Sequence, residues 1–183
     1  TGLDRSGSRI TAVATDSGDR IACDAVILTT DLPLTYQLLG RTPRRPIKFR
    51  PSPSAVVMHV GVPSVNNALQ HHNISFGHNW AKTFDEIIDD GTLMSDPSLL
   101  VTMPTAGDPG LAPPGRDLLY VLAPCPSLEV GTVNSAAEGD AYARQMLATA
   151  AERLLPGLDN DADILDVVTP ADWARQGMLA GSP

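Results

Sequence analysis

Residues 93–126 read LMSDPSLLVTMPTAGDPGLAPPGRDLLYVLAPCP, two apolar runs set among proline-rich turns. The runs, LLVTMPT at 99–105 and LLYVLAP at 118–124, carry no charge. Each ends at a proline, where the missing N–H denies a neighbouring strand its hydrogen bond. Uncharged runs of this length bounded by turns are strands that are buried or line an apolar cavity. Core packing accounts for the apolar residues. It does not account for turns as elaborate as Asp96-Pro97, Asp108-Pro109 and Pro113-Pro114.

Working outward, 55–62 (AVVMHVGV) and 74–76 read as further strands. Residues 80–88 read as an amphipathic helix stopped by Gly91. The clearest helix spans 135–155, with Ala143, Met146, Leu147, Ala150 and Leu154 at helical spacing and Pro156-Gly157 as its stop. A last strand at 164–168 precedes a capped turn at Thr169-Pro170 and a short helix containing Trp173. No repeat of 20–50 residues is visible. The fold class is α/β (α+β), a mixed or antiparallel sheet with flanking helices.

Toward the N-terminus, 9–15 (RITAVAT) alternates and meets the turn Asp16-Ser17-Gly18-Asp19, and Arg20-Ile21-Ala22 returns as a hairpin. The continuous apolar run Ala25-Val26-Ile27-Leu28 predicts a strand covered on both faces. Thr29-Thr30-Asp31 follows, with Asp31 as N-cap, Pro33 in the first turn, and a helix over 34–39 stopped by Gly40. Hairpin, buried strand and helix in this order resemble part of a nucleotide-binding α/β domain. Residues 41–53 (RTPRRPIKFRPSP) hold four prolines and five basic residues and read as a linker or domain crossover.

The chain has 183 residues and a net charge of -8, which argues against nucleic acid as a partner. Aromatic residues are 4% of it, too few for a base-stacking platform. Cys23 and Cys125 have no CxxC spacing and read as buried thiols of a cytoplasmic protein, with a disulfide as the lesser alternative. No run of 18 apolar residues is present, so no segment reads as a membrane span. The opening Thr1-Gly2-Leu3 and the ending Gly181-Ser182-Pro183 are expected to be those of a piece of a longer protein.

Three of the four histidines fall within 71–80 (HHNISFGHNW). In an extended chain His71 and His72 point to opposite faces, and His72 and His78 stand ~20 Å apart. A helix would align His71 with His78, but Ile74, Phe76 and Gly77 disfavour one. Neither geometry supplies the close pair a zinc site uses, so no metal is expected. The acidic pairs Asp85-Glu86 and Asp89-Asp90 read as a solvated face. Asp159, Asp161 and Asp163 read as an acidic loop, because the glycine and glutamate of an EF-hand are missing. GxSxG, HExxH, the Walker loop and GxGxxG are all absent.

The run from His71 to Pro126 resembles the middle of the bacterial-type phytoene desaturases, the FAD-dependent carotenoid dehydrogenases. The order HHNI-FG, F-EI, G-LMSDPSLLVT-PT--DP-LAP-G and YVLAP-P carries the resemblance. Thr169-Pro170-Ala171-Asp172-Trp173 and Gln176-Gly177-Met178 are similar to the family's TP-DW and GM-GSP segment, and CDAVILTTDLPLTYQLL to its strand and helix returning from the flavin domain. The resemblance implies a fragment of a flavin amine oxidase-like fold. Residues 1–45 would be part of the FAD-binding domain, 46–170 the substrate-binding domain, and 171–183 the start of the return to the FAD domain. The family's N-terminal GxGxxG loop and C-terminal segment are not in the chain, so the isolated piece is expected to be inactive.

What the resemblance implies for function is desaturation of phytoene or a similar carotenoid precursor, with FAD as the cofactor of the full-length protein. A lipophilic polyene offers no polar handle, so an apolar tunnel must select it. Val57, His59, Phe76, Val101, Met103 and Tyr120 are the expected tunnel residues. Thr29, Thr30 and Asp31 are the candidates for flavin contacts. His71 and His72 are the candidates for acid or base. The protein is expected in the cytoplasm, peripheral to the inner face of the cell membrane, with a homodimer through exposed apolar surface as a further expectation. Two alternatives stay open: a related isoprenoid flavoenzyme (isomerase, ketolase or retinol saturase), or a non-catalytic apolar-ligand module.

Overall fold

Alternating sequence at 9–14 and 20–22 forms the hairpin expected of it. Strands β1 (Gly2–Ser6), β2 (Arg9–Ala14) and β3 (Arg20–Ala22) make an antiparallel sheet in that order. The computed structural model describes residues 2–45, 48, 50–65, 68–131, 136–158 and 161–183. Ser135, Asp159 and the linker residues Pro46, Ile47 and Phe49 lie outside the described residues. Helix α1 (Leu32–Leu38) carries a proline in its first turn. Asp31 occupies the N-cap position without a side-chain cap bond; the Thr30 and Thr35 hydroxyls instead lie 2.9 Å apart.

One expectation fails here. Residues 25–28 form no strand, and Ile27 is 90% exposed. An extended segment becomes a strand only when neighbours take its backbone N–H and C=O groups. Among the described residues no strand pairs with it. Residues 1–50 form one unit and 51–183 a second.

The second unit is built on a five-stranded antiparallel sheet, order β5-β6-β7-β4-β8. Its strands are β4 (Ser54–Pro63), β5 (His72–Ser75), β6 (Leu99–Thr102), β7 (Arg116–Cys125) and β8 (Asp163–Val168). Both runs of the 93–126 stretch are strands, as their composition required. Side chains alternate between faces. Val56, Met58, Val60, Leu99, Val101, Met103, Leu119 and Val121 form one face, on which the long helix α3 (Ala136–Arg153) lays Tyr142, Ala143, Met146, Leu147 and Ala150. Burial pushes the thiol of Cys125, on the same face, up to about 12, so it stays a neutral, inert group at physiological pH. Cys23 is half-buried, and neither cysteine is in a disulfide.

Helix α2 (Trp80–Asp85) is capped by the Asn79 side chain and runs directly into a π-helical turn, Glu86–Asp90, which closes on Gly91. Helix α4 (Pro170–Arg175) begins with a complete capping box between Thr169 and Asp172. Residues 171–183 lie with the second unit. The Trp173 indole donates to the Ala55 carbonyl at 2.9 Å, the Leu128 N–H to the Ala180 carbonyl at 2.9 Å, and the Ser54 hydroxyl to the Gly181 carbonyl.

Candidate functional site: two rows across a sheet face

The face of the sheet opposite α3 is set by register. Directly paired residues of antiparallel strands project to the same side. One chain of pairs links Ile74, Leu100, Leu122, Val57 and Val168. The next chain links His72, Thr102, Tyr120, His59 and Asp166. An apolar row and a polar row therefore run side by side across all five strands, two residues or ~7 Å apart along each strand.

The rows differ in their contacts as well as their composition. His72 Nδ1 lies 2.9 Å from the Thr102 hydroxyl. The His59 and Tyr120 rings meet edge-on, centroids 5.4 Å apart. Burial pushes the Tyr120 phenol above its usual value, so it remains a neutral hydroxyl at physiological pH. In the apolar row Ile74 is 62% exposed, Leu100 and Leu122 are half-buried, and Val57 is fully buried. Desolvating a polar group of the first kind without a partner costs about 1–3 kcal/mol, whereas covering the second kind is favourable.

The six expected tunnel residues fall in three places. Val57 belongs to the apolar row, and His59 and Tyr120 to the polar one. Val101 and Met103 lie on the other face, buried against α3. Phe76 follows β5 and is 67% exposed. Thr102 and Asp166 were missed, because pairing partners depend on loop lengths and turn geometry that composition does not reveal. His71 and His72 are both exposed. Their rings touch edge-on with centroids 4.5 Å apart, where opposite directions were expected, because His71 stands just before the strand and escapes its alternation. Among the described residues no group of three metal-ligating side chains occurs.

Two acidic groups beside the sheet do structural work. Asp96 pairs with Arg153, accepts the His78 N–H at 2.6 Å, and lies 3.5 Å from His78 Nδ1. The solvated-face reading fails for Glu86, which is buried and accepts both the Ser95 N–H (2.9 Å) and the Ser95 hydroxyl (2.8 Å). Hydrogen bonds from Ser95 hold the Glu86 carboxyl below its usual range. Burial works to raise Asp96, Asp117 and Asp172, but the donors facing them outweigh it and hold all three low.

These directions fix a pH dependence. A carboxyl whose folded value lies below its unfolded one stabilises the fold above the unfolded value of about 4. That contribution is lost as pH falls through the lowered folded values. Thermal unfolding of the second unit should therefore be flat from about pH 8 to 5 and fall steeply below about pH 4. A midpoint that instead rose on acidification would contradict the assignment.

Residues 1–181 match the family model of flavin containing amine oxidoreductases. The chain belongs to that family. It is 54% identical over its whole length to a phytoene dehydrogenase of Streptomyces griseus, covering 36% of that protein. It is 34% identical to a lycopene-forming phytoene desaturase of Paracoccus over 95% of this chain and 36% of the relative. A zeta-carotene-forming phytoene desaturase of Myxococcus xanthus is 34% identical over 95% of this chain and 34% of its own length. The chain spans about a third of the length of these curated relatives.

Membership in the flavin containing amine oxidoreductases implies a flavin. The described residues of this chain do not form a cradle for one. A dinucleotide pyrophosphate needs converging backbone N–H groups at a glycine turn and a helix N-terminus. Thr29, Thr30 and Asp31 are exposed and precede a helix of only seven residues. Among the described residues no buried side-chain nitrogen or oxygen is left without a partner to receive a ligand.

Proposed function

We propose that this chain is part of an FAD-dependent oxidoreductase that desaturates phytoene or a similar carotenoid precursor, and that it supplies much of the substrate-binding domain. The observation that carries the reading is the 54% identity along the entire chain to a protein named phytoene dehydrogenase. The apolar row supports it, because a hydrocarbon can be recognised only by shape and apolar contact. Each desaturation removes two hydrogens and lengthens the conjugated system; the flavin of the full-length protein would supply the redox chemistry, and this domain would hold the chain in position.

Such a substrate dissolves in bilayers, which supports peripheral contact with a membrane; the location that goes with the proposal is the cytoplasm, at the inner face of the cell membrane. No helix among the described residues is long and apolar enough to cross a membrane. The test is conversion by the full-length protein, supplied with FAD and with phytoene in liposomes. Products absorbing at progressively longer wavelength support the reading. Unchanged phytoene, with isomerisation or oxygenation of another carotenoid in the same assay, overturns it in favour of a related isoprenoid flavoenzyme.

A further inference from the structure

We infer that the basic segment 41–50 is a contact for an anionic lipid surface, made by the charges of Arg41, Arg44, Arg45 and Lys48. The inference rests on the phytoene reading only for the choice of a bilayer as the source of negative charge. Its basis is the way the chain distributes its own charge. Residues 32–84 hold six of the 13 basic residues and none of the 21 acidic ones, and five of those six fall within 41–50. A run this long without a carboxylate, in a chain of net charge -8, sets a local positive field against an acidic background.

The structure leaves those charges in solvent. All five basic residues of 41–50 are exposed, and the described residues there form neither helix nor strand. Elsewhere arginine is neutralised locally: Arg9 pairs with Asp24, Arg20 with Asp4, Arg116 with Asp163, Arg153 with Asp96 and Arg175 with Asp172. Among the described residues Arg41, Arg44, Arg45 and Lys48 make no such pair. The four prolines of 41–53 account for the difference. A segment short of backbone N–H groups does not pack as a helix or strand, so no fold carries these side chains to a carboxylate.

The kind of anion follows from the layout. A single phosphate or a nucleotide is held by donors that converge on one point, backbone N–H groups among them. Here the charges are strung along a proline-rich segment, and such a chain of this length reaches up to ~30 Å. A leaflet of anionic headgroups answers such a row at every point and asks for no fixed geometry. A polyene substrate resides in the same bilayer, which favours that surface over an acidic protein or a nucleic acid. The attraction acts within a Debye length, about 8–10 Å at ordinary salt, so the acidic remainder of the chain does not cancel it when the segment faces the leaflet.

The experiment measures cosedimentation of the full-length protein with phosphatidylcholine vesicles, with and without a third of phosphatidylglycerol. Each basic residue at an anionic surface strengthens binding about fivefold, so Arg44→Gln/Arg45→Gln/Lys48→Gln should weaken binding to the anionic vesicles about a hundredfold. Arg9→Gln/Arg20→Gln/Arg144→Gln removes as much charge from exposed positions outside the segment and should change binding less than about threefold. Arg44→Lys/Arg45→Lys should retain binding within about twofold, because a leaflet reads charge and not the guanidinium fork.

Equal losses in the two triple variants overturn the segment as the contact, and equal binding to phosphatidylcholine alone overturns charge as its cause. Loss in the lysine variant overturns the leaflet in favour of a converging anion site. Displacement by inorganic phosphate beyond that by sodium chloride at the same ionic strength does the same. Tighter binding to a homopolymeric RNA, abolished by the 44/45/48 substitutions, overturns the choice of partner. Phytoene conversion by the unaltered protein is scored separately, with the substrate in neutral vesicles. The expected vesicle pattern without conversion keeps the contact and sinks the substrate reading, and conversion with a flat vesicle pattern does the reverse.

Discussion

Asp96→Ala is expected to destabilise the second unit by about 3 kcal/mol, the size associated with removing one partner of a buried charge pair. The carboxylate joins three segments that sequence separates widely: the Asp96–Pro97 turn itself, the β5–α2 connection through the His78 N–H, and the last turn of α3 through Arg153. Arg153 also donates to the Pro97 carbonyl at 2.9 Å, and its side chain is only 18% exposed. Removing the carboxylate leaves that guanidinium facing a half-dry pocket with one neutral acceptor, and removes the acceptor for a backbone N–H as well.

Asp96→Asn retains an acceptor for His78 but not the charge, and about half the loss is expected from it. Native-state hydrogen exchange on the full-length protein checks both, because protection should fall first in β5, β6 and α2. A loss below about 1 kcal/mol would mean the contact is worth no more than an exposed ion pair.

Asp96 also illustrates how far the sequence could be read. Its proline neighbour announced a turn, and the turn is there. Nothing local announced Arg153, fifty-seven residues away, because that pairing depends on α3 crossing one particular face of the sheet. The same division recurs. The α3 stripe of Ala143, Met146, Leu147 and Ala150 was legible, since a 3.6-residue period needs no knowledge of its partner. The strands at 55–62, 99–103 and 118–122 were legible as uncharged runs, but which residues faced α3 was not. Val101 and Met103 therefore landed among the tunnel candidates while Thr102 between them was passed over.

Glu86 was misread for a different reason. Its charge suggested solvent, but it falls three residues after buried Thr83 and next to buried Ile87, on the inner side of the helix, where the Ser95 donors satisfy the carboxylate. Local composition misled at 25–28 as well, where apolar residues alone could not make a strand without partners. The two rows of the candidate site belong to the least legible class. They exist only once four registers are fixed, each by a separate connection between strands.

The π-helical turn makes the second large prediction. Gly91→Ala is expected to cost about 3 kcal/mol through two separable causes. Gly91 has φ of 67°, the left-handed conformation that ends the turn, and an L-residue there costs about 1–2 kcal/mol. A Cβ at this position would also press into the Val130 carbonyl, which is backbone and has no rotamer by which to move away. Gly115 separates the two causes. It has φ of 78° and lies in the same unit, but no atom stands within 4 Å of where its Cβ would be. Gly115→Ala should therefore cost only about 1–2 kcal/mol, the backbone contribution alone. The difference between the two variants measures how tightly the 126–131 segment is held against the end of α2. If both cost the same, that segment yields freely, and the close approach at Val130 contributes nothing to holding Glu86 and Ser95 in register.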